Sequence, residues 1–119
     1  MALSFMQMVA NARQKVTEID SDSLQDDLNQ ITLIDVRELS EYEAGHIKNA
    51  INIPRGVLES EMDSNPDFAD KTQAIVLMCK TGGRSALSLL SVQQLGFTKL
   101  YSLKGGYLAW EAEGLPTVK

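Results

Sequence analysis

Residues 74–85 read Ala74-Ile75-Val76-Leu77-Met78-Cys79-Lys80-Thr81-Gly82-Gly83-Arg84-Ser85, and the order of residue types here decides the fold. An unbroken apolar run with no alternation predicts a short strand buried on both faces, over 74–78. The chain's only cysteine follows at the strand's end, in a loop with two glycines and two cations. Ser85 then opens a run in which Leu87, Leu90 and Leu95 give one apolar side, predicting a helix over 85–95 that Gly96 ends.

The same alternation continues on both sides of this unit. Upstream, Ile31–Val36 reads as a buried parallel strand, Ser40–Ala44 as a short helix closed by Gly45, and Ala50–Ile53 as a strand stopped by Pro54. Val16–Ile19 suits a first strand, and Asp20 or Ser21 caps a helix around Ser23–Leu28. Residues 55–71 carry Glu59, Glu61, Asp63, Asp67 and Asp70 with an Asn65-Pro66 turn, and predict a crossover of short helical pieces with a solvated acidic face. Downstream, Lys99–Leu103 reads as a last strand; Gly105-Gly106 leads into a helix holding Tyr107, Leu108 and Trp110, ended by Gly114-Leu115-Pro116. Strands alternating with helices predict an α/β domain with a mostly parallel central sheet flanked by helices, whose ligands bind beyond the carboxyl ends of the strands. Cys79 falls at such an end. Residues 1–15 predict an amphipathic helix outside the domain proper, which would occupy 16–119.

Composition bounds the rest. At 119 residues the chain forms one core, and its net charge of −5 argues against nucleic acid as the main partner. One cysteine rules out an internal disulfide or a paired redox motif, and with one histidine it disfavours a zinc site of the usual kind. No stretch reaches the length of a membrane span. Ala10-Asn11-Ala12 resembles a signal cleavage site, but no basic segment precedes it, so a cytoplasmic location is expected.

A lone cysteine taken by itself reads as an inert core thiol. The sequel reverses that reading. A free thiol ionises near pH ~8.5, and helix N-termini and cations lower that value. Cys79 has the start of the 85–95 helix, Lys80 and Arg84 in prospect. Gly82 and Gly83 allow positive φ, so that successive N–H groups turn inward as an anion nest, with the hydroxyls of Thr81 and Ser85 as further donors. We therefore expect an ionised, exposed thiolate at Cys79, facing an anionic substrate held by Lys80, Thr81, Gly82, Gly83, Arg84 and Ser85.

With its surroundings, the loop resembles the rhodanese (sulfurtransferase) family. Besides Cys79–Ser85, the chain carries Leu33-Ile34-Asp35-Val36-Arg37, Glu41-Tyr42-Glu43-Ala44-Gly45-His46-Ile47, Ala50-Ile51-Asn52-Ile53-Pro54 and Leu103-Lys104-Gly105-Gly106-Tyr107-Leu108-Ala109-Trp110 in the family's order. The likeness runs over about residues 16–116. It implies a rhodanese-like α/β fold and a ping-pong reaction. Cys79 would take a sulfane sulfur from thiosulfate or a persulfide, then pass it to cyanide or a thiol, with no metal or organic cofactor. The implied partners are a small anionic sulfur donor and a protein sulfur acceptor, the chain itself acting as a monomer or weak homodimer. The alternative from another class is a sulfur-carrier or docking module with little turnover on small molecules.

Related phosphatases place one residue more between nucleophile and arginine than the Lys80–Gly83 stretch offers, so a phosphoryl substrate is disfavoured. In the family pattern Asp35, Arg37 and His46 belong to the scaffold. Trp110, Tyr107 and Tyr101 read as core aromatics. The N-terminal methionines either form a face for a partner or fill gaps.

Overall fold

The computed structural model describes residues 2–119. In chain order the elements are α1 (Phe5–Arg13), β1 (Glu18–Ile19), α2 (Ser21–Asp26), β2 (Thr32–Asp35), α3 (Leu39–Ala44), β3 (His46–Ile47), β4 (Ile51–Asn52), α4 (Leu58–Ser64), β5 (Ala74–Met78), α5 (Gly83–Val92), β6 (Lys99–Leu103), α6 (Gly106–Ala112) and β7 (Thr117–Val118). The main sheet has the order β1-β6-β5-β2-β4, and every neighbouring pair is parallel. β5 lies at its centre.

Alternation along β5 sorts the core into two layers. Ile75, Leu77 and Cys79 join Ile34, Leu58, Met62, Leu89 and Val92 on the side covered by α4 and α5. Val76 and Met78 join Leu24, Leu33, Leu103 and Trp110 on the side of α2 and α6. Because all strands run the same way, the loops after β1, β2, β4, β5 and β6 gather at one edge of the sheet. That edge holds Cys79.

α1 is not a detached arm. A capping box at Ser4 and Gln7 starts it, and its Val9 and Ala12 are buried against the rest of the protein. Its exposed side carries Phe5, Met6 and Met8. The polar crossover before β5 forms α4 between two short 3-10 turns, as its composition predicts.

Three features differ from the sequence reading. The helix expected over 85–95 begins at Gly83 and ends at Val92, with a 3-10 turn over Gln93–Leu95. The helix expected at 23–28 begins at Ser21, because the Asp20 carboxylate caps the Ser23 N–H at 2.8 Å, and a separate 3-10 turn holds Leu28–Gln30. A small antiparallel ribbon of β3 and β7 pairs His46 with Val118 and Ile47 with Thr117. Strands of two residues carry no hydrophobic period, so the sequence does not announce them.

Candidate active site

The loop after β5 is held from outside by its carbonyls. Cys79 O accepts from the Tyr107 N–H at 2.8 Å and Lys80 O from the Leu108 N–H at 3.1 Å, both at the start of α6. Thr81 O accepts from Arg13 Nη2 of α1 at 3.2 Å. A trans peptide is planar, so a carbonyl pulled one way turns the following N–H the other way. The tie on Thr81 O thus turns the Gly82 N–H inward, and that N–H donates to Cys79 Sγ at 3.1 Å. The Ser85 N–H, in the first turn of α5, also donates to Sγ at 3.4 Å. Two backbone donors therefore converge on one sulfur.

This geometry needs glycine. Gly82 has φ +99°, and a Cβ there would come within 3.4 Å of Leu103 O. Gly106 has φ +60°, and its Cβ would lie 2.5 Å from Cys79 O, where the start of α6 crosses the loop. Both positions let backbone approach backbone.

Each residue assigned to the site from sequence has a definite place. Cys79 sits at the end of β5 and is 1% exposed. That corrects the expectation of an open thiol: its alternation with Ile75 and Leu77 directs it into the α5 layer of the core. Lys80 and Thr81 are exposed on the loop's outer turn. Gly82 caps α5 in the left-handed region, and Gly83 begins the helix beneath Val9 of α1. Arg84 turns toward α3, where Nη1 and Nη2 donate to Glu41 Oε1 and Oε2 at 2.7 and 3.0 Å. The fork-to-fork pair holds the Glu41 carboxyl at about 2, and Glu41 in turn raises Arg84. Ser85 is buried; its hydroxyl donates to Gly82 O at 3.2 Å and lies 3.7 Å from Sγ.

The scaffold residues close their bonds among themselves. Arg37 donates from Nε and Nη2 to both oxygens of Asp35 and from Nη2 to Gly45 O at 2.7 Å, with its guanidinium 4.4 Å from the Tyr107 ring centre. His46 stacks on Tyr42 at 3.7 Å and pairs its Nδ1 with Tyr42 O. Trp110 is buried and donates Nε1–H to Pro116 O, fastening the C-terminal segment.

The structure adds Arg13, Glu41 and Ser102 to the site's surroundings. Ser102 was visible in sequence as a polar residue inside the apolar strand Leu100–Leu103. Arg13 and Glu41 carry no such mark, because each looks like an ordinary charge at a helix end.

Comparison with known proteins agrees on one family. The model of the Rhodanese-like domain matches residues 20–113. A sulfurtransferase of Allochromatium vinosum is 33% identical over 106 residues, covering 87% of this chain and 95% of its own. The chloroplastic thiosulfate sulfurtransferase 16 of Arabidopsis thaliana is 38% identical over 94 residues, covering 71% of this chain and 77% of its own. Among solved structures, a rhodanese-related protein of Thermoplasma volcanium superposes with a TM-score of 0.72 at 31% identity, covering 86% of this chain and 97% of the other.

Proposed function

Since the chain belongs to the Rhodanese-like domain family, with its sulfur-transfer chemistry and its fold, we propose that Cys79 is the nucleophile of a thiosulfate or persulfide sulfurtransferase. The observation that carries this reading is the convergence of the Gly82 and Ser85 N–H groups on Sγ at 3.1 and 3.4 Å. Such donors stabilise negative charge on sulfur in a place from which water is largely excluded, as an oxyanion hole does for oxygen.

In the loading step the Cys79 thiolate attacks the outer sulfur of thiosulfate. The bond between the two donor sulfurs breaks, and sulfite leaves with the electron pair. The outer sulfur keeps its negative charge, as a persulfide on Sγ. In discharge an acceptor such as cyanide attacks that outer sulfur, and the S–S pair returns to Sγ. No proton has to move in either step.

Burial of Sγ suits this chemistry. The transferred atom stands ~2.05 Å from Sγ, within reach of the loop donors that surround the thiol. Lys80, next in the chain to Cys79, is exposed and, among the described residues, has no ion pair, so it supplies attraction for an anionic donor. Arg84 is committed to Glu41, and its part is to hold the helix start in place.

Intact mass spectrometry after incubation with thiosulfate tests the proposal. The protein gains one sulfur atom, cyanide removes it, and Cys79→Ser gains none while keeping the same thermal melting. A wild-type mass that does not change with thiosulfate, or with a low-molecular-weight persulfide, overturns the persulfide reading.

A further inference from the structure

Behind the thiol lies a pair of hydroxyls that the two steps above leave unused. Ser85 Oγ on α5 and Ser102 Oγ on β6 are 2.8 Å apart, and both residues are 0% exposed. Among the described residues, Ser85 is the only hydrogen-bond partner of the Ser102 hydroxyl. A buried hydroxyl proton with no acceptor is costly. Ser102 therefore donates to Ser85.

As a thiol, Cys79 donates Sγ–H to Ser85 Oγ at 3.7 Å while Ser85 donates to Gly82 O at 3.2 Å; once Cys79 is ionised, the Ser85 proton has two acceptors in reach, Gly82 O and Sγ. When Sγ carries a proton or an outer sulfur, Gly82 O is the better acceptor. When Sγ is a thiolate, the charge makes it the better one. Turning away from Gly82 O leaves no orphan, because the Ala86 N–H also donates to that carbonyl at 3.1 Å.

We propose that Ser102 is a positioning residue: by donating to Ser85, it keeps the Ser85 hydroxyl proton ready for Sγ at the moment the outer sulfur departs. Ser102 plays this part only if Cys79 is the persulfide carrier proposed above. In discharge, the lone pair on the cyanide carbon forms a C–S bond to the outer sulfur. The S–S bond breaks, and its electron pair becomes the thiolate charge on Sγ, leaving thiocyanate. The Ser85 proton swings onto that growing charge and lowers the barrier. Loading runs the other way. There the thiolate gives up its charge to form the new S–S bond, and a hydrogen bond to it must be surrendered. A donor at Sγ thus speeds discharge and does not speed loading by a thiolate that is already formed.

Rapid-quench mass spectrometry separates the half-reactions, measured at a pH where loading has ceased to rise with pH. Ser102→Ala discharges to cyanide about fivefold more slowly and loads from thiosulfate no more slowly than wild type. Ser102→Thr, which keeps a hydroxyl, restores discharge. In a Ser85→Ala background, Ser102→Ala has no further effect on discharge. Equal slowing of both half-reactions, unchanged discharge, or additive losses in the double variant would each overturn the assignment. If Ser102→Ala does not fold, Ser85→Ala against Ser85→Thr must show the same split between discharge and loading. A wild-type protein that never takes up sulfur fails earlier, at the persulfide itself, and that failure is seen without any variant.

Discussion

β2 and β5 lie side by side, with Asp35 opposite Met78, and each runs into a buried polar group at the same edge of the sheet. Asp35, Arg37 and Cys79 are 0%, 4% and 1% exposed, so burial does not tell the two regions apart. Their bonding does. After β2, both Asp35 oxygens accept from Arg37, Arg37 also reaches Gly45 O, and Asn52 Nδ2 donates to the carbonyls of Asp35 and Arg37. Every charge there is met by a fixed opposite partner. After β5, donors converge on a sulfur whose charge can change, and one hydroxyl beside it has a choice of acceptor. A closed network holds a fold together, whereas one with a choice left in it can follow a reaction.

The sharpest way to break this contrast is Asp35→Asn. It leaves Arg37 buried against a neutral amide, and the free energy of unfolding should drop by about 3–5 kcal/mol. Urea titration reads that loss. Sulfur loading at Cys79, measured well below the new midpoint, should stay near wild type. A stability loss below about 1 kcal/mol would mean that the β2 end is not held rigid by its ion pair. A large fall in loading by the folded variant would mean that the two regions share a catalytic task.

Glu41 bridges the two regions, since it follows Arg37 on α3 and grips Arg84 on α5. Both side chains of the pair are about a third exposed, at 29% and 31%, so the contribution is modest. Folding depresses the Glu41 carboxyl from 4.5 to about 2, first through its hydrogen bonds from Arg84. A carboxylate lowered on folding gives its full stabilisation above the unfolded value and loses it as pH falls through the folded one. Glu41→Gln should therefore be less stable than wild type by about 0.5–1 kcal/mol at pH 7. The gap should close as pH falls from 4.5 toward 2. Urea midpoints taken across that range decide it, and a gap independent of pH would remove the ion pair as the cause.

Much of the fold was legible because parallel strands buried on both faces leave plain apolar runs. β5 and β6 end where the sequence places them, and the loop between β5 and α5 was readable from Gly82 and the lone cysteine, whereas Gly83, expected in the loop with positive φ, begins α5 instead. What escaped reading depends on distant pairing. The β3–β7 ribbon joins two-residue strands from opposite parts of the chain. Glu41 reads as an ordinary capping-box residue, and it does receive the Glu38 N–H, yet nothing local says that Arg84 will reach it. The depth of Cys79 was available from its alternation with Ile75 and Leu77; the expectation of an exposed thiolate gave loop position more weight than strand period.

The smallest effect expected is at Arg13, and it separates holding the loop from aiming it. Its side chain is 42% exposed, and its pairing with Glu18 is long, at 3.8 Å. Removing it should cost the fold only about 0.5 kcal/mol. Its hydrogen bond to Thr81 O nevertheless sets the tilt of the peptide whose N–H points at Sγ. Without that tie the Gly82 donor wanders, and a donor that must be reoriented during reaction stabilises charge less well than one already aimed. Arg13→Ala should therefore discharge sulfur to cyanide about two- to threefold more slowly with nearly unchanged melting, and Arg13→Lys, which still offers a donor at that distance, should recover part of the rate. Were discharge unaffected, the aim of the Gly82 N–H would have to come from the turn and the α6 contacts alone. α1 would then be packing for the site rather than part of its machinery.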